Sequence, residues 1–550
     1  MKFLRILIPL FCLLTACGGD DANETNTPGQ TTTQPSCSWV QRSWEASSAA
    51  GEITIEVRSK GTMWTIVKGA GDMISNVTPL IGGDTSNQSV STVVTVNYLE
   101  NTSEEAREQQ LILKNDKSGE ESVFTLKQKG IDIGIVVQAN MADKRQHVVG
   151  FGGMYNPIIW TGNNLISAKE METLYAPDKL GYNVLRLMIY PNKSNWKDDV
   201  AGAKLAQQYG AVIFACPWDC TDALADQVTV NGKSHKHLRH DKYADYAQHL
   251  IDYINYMKQQ GVNLTAISVQ NEPDMDFTYW TPDEIANFIA EYGAQIRATG
   301  VKLMGPEACG FQPEYTNAVL NKASAFAQTD IIVGHLYQGF LDTSSNYVRD
   351  RHDYVAGLYK KLSSSGKSWW MTEHLFNDGE KPTDANFKEY ATWSYQFDHL
   401  GREMHECMAT GCSAYIYWYL KRFYGMMGDN DSERSAVAMG TPTKNGYLMA
   451  HYARYAAGKT LIQSTSADNG VLVTAYLSDN GKELCFVMLN TKSRNEPVTI
   501  ELEQPLTAAS AIVTDADRNM QSQELTYSAG SSRVQLLMAS RSIVSLKISF

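Results

Sequence analysis

Two short stretches hold residues that could do chemistry together. Gln270-Asn271-Glu272-Pro273 follows the apolar run Ala266-Ile267-Ser268-Val269, and Glu373-His374 follows Trp369-Trp370-Met371-Thr372. Each run has the length and composition of a buried strand, so each glutamate stands where a strand ends. A pair of carboxyls across a cleft can split a glycosidic bond: one gives a proton to the leaving oxygen, and the other attacks the anomeric carbon. A lone glutamate after a strand is most often a helix cap or a surface charge. Two of them, one inside the distinctive Asn-Glu-Pro, make a far more specific signal.

The elements that must position them repeat. Eight short apolar runs start near Val148, Val184, Ala211, Thr265, Val301, Ile331, Trp369 and Ala414, with helical stretches between them. Tyr243, Tyr246, Leu250, Ile251, Ile254 and Met257 form one helical stripe that Gly261 ends. Thr281-Pro282-Asp283-Glu284 is a capping box with proline at the first helical position. Residues 148–455 therefore read as an α/β (β/α)8 TIM barrel, whose active sites lie at the strand ends. A doubly wound open sheet is the alternative; no glycine fingerprint for a nucleotide follows the first run, which counts against it. The two glutamates fall after runs four and seven, at one end of such a barrel.

Alternating strand patterns flank this region. Residues 37–130 contain Glu52–Val57, Val93–Val96, Gln110–Leu113 and Val123–Leu126 between turn residues, an all-β, Ig-like sandwich in which Trp44 and Trp64 both fit core positions. Residues 456–550 read as a second β-sandwich docked on the barrel. At the start, Lys2 and Arg5 precede the apolar run Ile6–Leu14, a signal-peptide pattern over 1–16. Residues 17–36 carry little to bury and read as a flexible tether.

The chain has 550 residues, 43% of them hydrophobic, and a net charge of −12. That charge argues against nucleic acid as partner, and it means that an acidic substrate needs a specific local cation. Cys37, Cys216, Cys220, Cys309, Cys407, Cys412 and Cys485 are scattered, which is not a disulfide scaffold. Free buried thiols are expected, with Cys216–Cys220 as an optional bridge. The cysteine pairs lack histidines at ligand spacing, so no metal is expected, and no cofactor either. A monomer is expected.

From about Gln146 to the C-terminus the chain resembles glycoside hydrolase family 30. The matching stretches include Val149-Gly150-Phe151-Gly152-Gly153-Met154, Leu185-Arg186-Leu187, Ile267 to Pro273, Gly305-Pro306-Glu307, Gly334-His335-Leu336-Tyr337 and Trp370-Met371-Thr372-Glu373-His374. The resemblance implies that Glu272 is the general acid/base and Glu373 the nucleophile, acting with retention. On that reading Glu272 must hold a proton near neutral pH, its pKa raised by burial or by Glu373. Arg186 would keep Glu373 ionised, and Asn271 would bond the sugar 2-OH. His335 and Tyr337 would line the cleft, and Trp160, Trp218 and Trp418 would offer flat faces to pyranose rings. The family also implies that residues 131–147 add strand structure to the C-terminal sandwich. The end of the first sandwich, Ala106-Arg107-Glu108 through Gln128-Lys129-Gly130, resembles BACON domains. Leu14-Thr15-Ala16-Cys17 resembles a bacterial lipobox, which implies a lipid on Cys17, membrane attachment through it, and an outer-membrane lipoprotein of the Bacteroides type at the cell surface.

The eighth run sharpens the substrate. Ala414 to Gly425 resembles the glucuronoxylanase subfamily, in which Trp418, Tyr419, Arg422 and Tyr424 match positions that hold the glucuronate branch of xylan. An arginine fork suits a carboxylate. The polysaccharide partner implied is glucuronoxylan, and the activity a glucuronoarabinoxylan endo-1,4-β-xylanase. The segment Leu375-Phe376-Asn377-Asp378-Gly379 departs from the subfamily, lacking its tyrosine and adding a negative charge. Cleavage of another β-glycan, such as β-1,6-glucan or a glucosylceramide, is the alternative within the family. A non-catalytic surface glycan-binding lipoprotein is the alternative of another class.

Overall fold

The computed structural model describes residues 34–159, 164–275, 277–337, 346–375 and 387–550. The segment 1–16, Cys17, Trp160 and the stretch Phe376 to Gly379 lie outside the described residues. The chain forms two compact units, one ending at Asp132 and the other spanning Ile133–Phe550.

The first unit is a seven-stranded sheet built on two long antiparallel strands, Gly51–Lys68 and Ile81–Tyr98. Its core follows the two-residue period of a strand: Ile53, Ile55 and Val57 point one way and meet Leu111, Leu113, Phe124 and Leu126. Trp64 is fully buried in this core. Trp44, a core candidate by pattern, is instead 38% exposed. Its short strand, Ser43–Ala46, buries only Ala46.

In the second unit eight parallel strands close into a barrel: Gly150–Met154, Val184–Ile189, Val212–Pro217, Ala266–Ser268, Lys302–Ala308, Ile331–His335, Ser368–His374 and Cys412–Tyr417. They are barrel strands one to eight below. Closure comes from strand eight pairing with strand one, Ala414 opposite Gly150. Strand one approaches strand two so closely that a Cβ on Gly152 would meet the carbonyl oxygen of Val184 at 1.8 Å.

Alternation along these strands sorts the side chains. Val184, Phe214, Ala266, Met304, Val333, Trp370 and Ala414 fill one end of the barrel interior. Leu185, Ile213, Ile267, Leu303, Ile332 and Met371, one residue out of phase, pack into the larger core shared with the helices. Two residues further along the inward phase come Arg186, Ser268, His335 and Thr372. An apolar plug is thus capped by a polar layer at the C-terminal ends of the strands. Between Pro306 and Ala308 strand five slips register against strand six, and Glu307 sits at φ 63° within the slip. Such a bulge re-aims a side chain, here a carboxylate, into the polar layer.

Helix Tyr243–Gln259 buries Tyr246, Leu250, Ile254 and Met257 against the barrel. Helix Pro282–Arg297 starts with the capping box at Thr281 and Glu284, fixing the end of the loop that follows strand four. After the barrel the chain enters a nine-stranded sheet. Strand Ile135–His147, from before the barrel, pairs in it with Thr460–Ser466 and Glu496–Glu501. Leu484, Phe486 and Met488 turn into the sheet's own core, whereas Cys485, Val487 and Leu489 pack on the barrel side. Both faces of this strand are therefore buried.

Candidate active site

Arg186 is the hub of the polar layer. It is wholly buried, with Trp218 beneath its guanidinium at 4.5 Å. Nη1 donates to Glu373 Oε2, and Nη2 donates to Asn271 Oδ1 at 2.6 Å. Glu307 Oε2 stands 4.0 Å from Nη2. Burial alone would lower the arginine's pKa, but the charges of Glu373 and Glu307 raise it. A buried cation needs such partners, because an unpaired one is too costly to keep.

His335 is the second hub. Its Nδ1 lies 2.9 Å from Glu272 Oε1, and its Nε2 lies 3.0 Å from Glu307 Oε2. Burial pulls this imidazole down, yet the charge of Glu373 and the bonds to Glu272 and Glu307 push it up to about 10. His335 thus carries a proton on both nitrogens at neutral pH. Glu307, fully buried, is held as a carboxylate against the desolvation of burial by His335, Arg186 and the hydroxyl of Ser268; Thr372 also donates to it.

The two candidate glutamates are both buried, and oxygens from each lie with a His335 nitrogen within 4.8 Å of one another. Burial and the neighbouring charge of Glu272 hold Glu373 above its ordinary value, and His335 and Arg186 oppose that rise without cancelling it. Direct donation from Arg186 and from the Tyr337 hydroxyl favours its ionised form. For Glu272 the expected upward shift does not hold. Burial does push its carboxyl up, but the bond and charge of protonated His335 bring it below the ordinary value. The proton expected on Glu272 therefore rests on His335 Nδ1, one hydrogen bond away. Since the pair shares that proton, moving it to Glu272 creates no net charge in the site.

The folded pKa of His335 is about 10, above its ordinary 6.5, so its ion pairs stabilise the fold fully below about pH 6.5 and are lost as pH rises through about 10. Thermal unfolding across that alkaline range should show the wild type losing more stability than His335→Gln. Parallel losses in the two proteins would mean that His335 is neutral in the fold.

Backbone geometry sets the loop after strand four. Glu272 sits at φ 43°, a region that costs a side-chain-bearing residue about 1–3 kcal/mol. Asn271 N–H to Pro217 O at 2.7 Å and Glu272 N–H to Glu307 O at 3.1 Å hold it there. Asn271 Nδ2 is buried and has no hydrogen-bond partner among the described residues.

Strand eight supplies the other wall. Trp218 and Trp418 face each other with ring centroids 5.8 Å apart. Trp218 is 2% exposed and serves largely as the floor under Arg186, while Trp418 is only partly buried. Arg422 lies 5.3 Å from the ring centres of both Tyr419 and Tyr424 and 5.9 Å from that of Phe423. It lines the same cleft as Glu272, Glu373 and Tyr337. Its neighbour Lys421 turns away, buried against Glu170 Oε1 at 2.8 Å. Among the described residues no carboxylate pairs with Arg422. The buried hydroxyl of Tyr419 is likewise unpartnered.

Every candidate site residue among the described ones thus gathers at this end of the barrel. Glu307, Ser268 and Thr372 join them without having been singled out. Met275, Phe277 and Cys309 also line the cleft. Asp274, bonded by the Cys309 N–H at 2.9 Å, is pushed up to about 6 by burial. The cysteines from Cys37 to Cys485 are free thiols. Two groups of described residues hold donor atoms close enough to share a metal ion: Glu272, His335 and Glu373, and separately His237, His240 and Glu284.

No protein-family model matches the chain. Glucuronoxylanase XynC of Bacillus subtilis (strain 168) is 35% identical over 352 residues, 62% of this chain and 76% of that protein. A second glucuronoxylanase XynC, from Bacillus subtilis, is 32% identical over 392 residues, 70% of this chain and 85% of that one. Among solved structures, a GH30 endoxylanase from Clostridium papyrosolvens C71 superposes with a TM-score of 0.63 at 29% identity, covering 75% of this chain and 100% of that chain.

Proposed function

The chain belongs to glycoside hydrolase family 30, and from that membership we propose that it is a retaining endo-β-1,4-xylanase that reads the glucuronate branch of glucuronoxylan. The observation that carries the branch reading is Arg422. A guanidinium lines the cleft, walled by aromatic rings, with no carboxylate of its own among the described residues. In a protein of net charge −12 that is a receptor for an anion.

Glu373, ionised by Arg186 and Tyr337, attacks the anomeric carbon, and the aglycone oxygen leaves with a proton from Glu272. That proton reaches Glu272 from His335 Nδ1. A glycosyl ester on Glu373 forms as the glycosidic bond breaks. Water, deprotonated by Glu272, then releases the sugar with its configuration kept. Carboxyl oxygens within 4.8 Å suit this route, since inverting pairs stand roughly 6.5–9.5 Å apart to admit a water. The free N–H groups of Asn271 Nδ2 would bond the 2-oxygen of the bound sugar, a contact that tightens in the transition state. Cys17 would carry the lipid anchor, on the strength of Leu14-Thr15-Ala16-Cys17.

Arg422→Ala tests the reading. Losing a charge-assisted contact costs roughly 1.5–3 kcal/mol, an approximately 10- to 150-fold drop in kcat/KM on glucuronoxylan. Linear xylan offers no carboxylate, so its hydrolysis should change little. Each glucuronoxylan product should carry the branch at a set distance from its new reducing end. An equal fall on both substrates would remove the branch reading, and preferential cleavage of β-1,6-glucan would remove the xylanase reading with it.

A further inference from the structure

The hairpin of Ala225–Val230 and Lys233–Leu238 lies against the loop that carries Glu272, with Tyr279 N–H donating to Lys236 O at 2.8 Å. Where this hairpin runs on into the next helix, two imidazoles converge on one carboxylate oxygen. His237 Nε2 is 2.9 Å and His240 Nε2 is 2.6 Å from Glu284 Oε1. We propose that His237, His240 and Glu284 form a binding site for a divalent cation of the zinc class.

The donor set fits that ion. Imidazole nitrogen and carboxylate oxygen are ordinary zinc ligands, and three protein ligands with one open position are a common arrangement. The cysteine spacings give no such site; this one uses no cysteine and is assembled only when residue 284 folds back on 237 and 240. Bonds of about 2.0–2.1 Å in a tetrahedron put ligand atoms roughly 3.3 Å apart. The two histidine-to-carboxylate gaps need to widen by about 0.4 and 0.7 Å to reach that spacing, and His240, with its side chain 66% exposed, can give way.

Outer contacts already turn two of the ligands toward the ion. Asp226 Oδ1 lies 2.8 Å from His237 Nδ1, so a proton shared there leaves the Nε2 lone pair for a metal. Carboxylate behind histidine is the usual support of such a ligand. Glu284 Oε2 is occupied by the Thr281 N–H and hydroxyl at 2.7 and 2.9 Å, which leaves Oε1 facing the histidines. A further observation points to a ligand. The hydroxyl of Tyr243, a residue 7% exposed, has no hydrogen-bond partner among the described residues and lines the same depression as His240 and Glu284. It can donate to a water on the open position. An ion here would tie the hairpin to the first turn of helix Pro282–Arg297, bracing one side of the glutamate loop.

The test uses the untagged full chain, stripped with chelator and titrated calorimetrically with zinc chloride at neutral pH, with thermal unfolding in parallel. One zinc per chain should bind saturably and raise Tm by roughly 2–4 °C. Asp226→Ala should weaken binding about 10- to 100-fold through loss of the outer carboxylate. His240→Ala, at an exposed position, should keep the far-ultraviolet spectrum and lose both the binding and the Tm shift. Absence of saturable binding up to millimolar zinc would overturn the proposal. So would undiminished binding in His240→Ala, which would place the ion elsewhere, with Glu272, His335 and Glu373 the next donors to examine.

Discussion

Glu373→Gln is expected to abolish turnover, by at least about 10⁴-fold in kcat. Glutamine keeps the shape and can still accept from Tyr337, so the cleft should remain. It cannot form the glycosyl ester, and among the described residues Glu307 cannot replace it, being fully buried and held by His335, Ser268 and Thr372. The change also strips Arg186 of its direct anionic partner. Breaking a buried pair from one side typically costs about 3–5 kcal/mol, so a lowered Tm should accompany the lost activity. Circular dichroism would separate an inactive fold from an absent one. Proton NMR of the wild-type reaction supplies the stronger check. The first product formed should be the β-anomer; appearance of the α-anomer would refute the retaining mechanism.

Glu272→Ala should fail differently. On xylan, where the departing hydroxyl is a poor leaving group, loss of the acid should cost about 10²–10⁴-fold. On an aryl glycoside whose phenol leaves unaided, formation of the glycosyl enzyme should be far less affected. Deglycosylation then limits the rate, because water has lost its base. Azide is a nucleophile that needs no base, and alanine leaves room for it. It should restore turnover of the aryl substrate and yield a β-glycosyl azide. Failure of azide to rescue, with the glycosyl enzyme shown to accumulate, would remove Glu272 from the acid/base role. His335→Gln adds a graded control. If the proton comes from Nδ1, this variant should lower activity on xylan more than on the aryl glycoside.

Much of the barrel was legible because it rests on local pattern. Each strand begins within about two residues of its apolar run, since burial on both faces leaves few polar residues to blur the edges. Helix ends marked by Thr281 and Gly261 rest on capping and on a left-handed glycine at φ 80°. What stayed hidden depends on registration between strands. Glu307 enters the site through a bulge, and the one local sign of it is Pro306, a residue that a central strand admits only where its ladder is broken. The protonation of Glu272 is hidden for a related reason: it and His335 are 63 residues apart in the sequence, and only barrel closure brings them to 2.9 Å. Lys421 and Arg422 form one basic pair in the sequence, yet the first is consumed by Glu170 and only the second meets the cleft. Trp44 and Trp64 look alike by pattern, and differ because one sits in a short edge strand and the other mid-way along an 18-residue strand.

The strand Ile135–His147 enters the outer sheet before the barrel has begun, and its partners Thr460–Ser466 and Glu496–Glu501 come after the barrel has ended. For recombination, this means that a gene segment cut at residues 148 and 455 would part a sheet down its middle and leave raw edges on both pieces. The portable module is instead the whole of Ile133–Phe550. Fusions, graftings and inherited rearrangements that keep both flanks should travel intact, and those that trim either one should not.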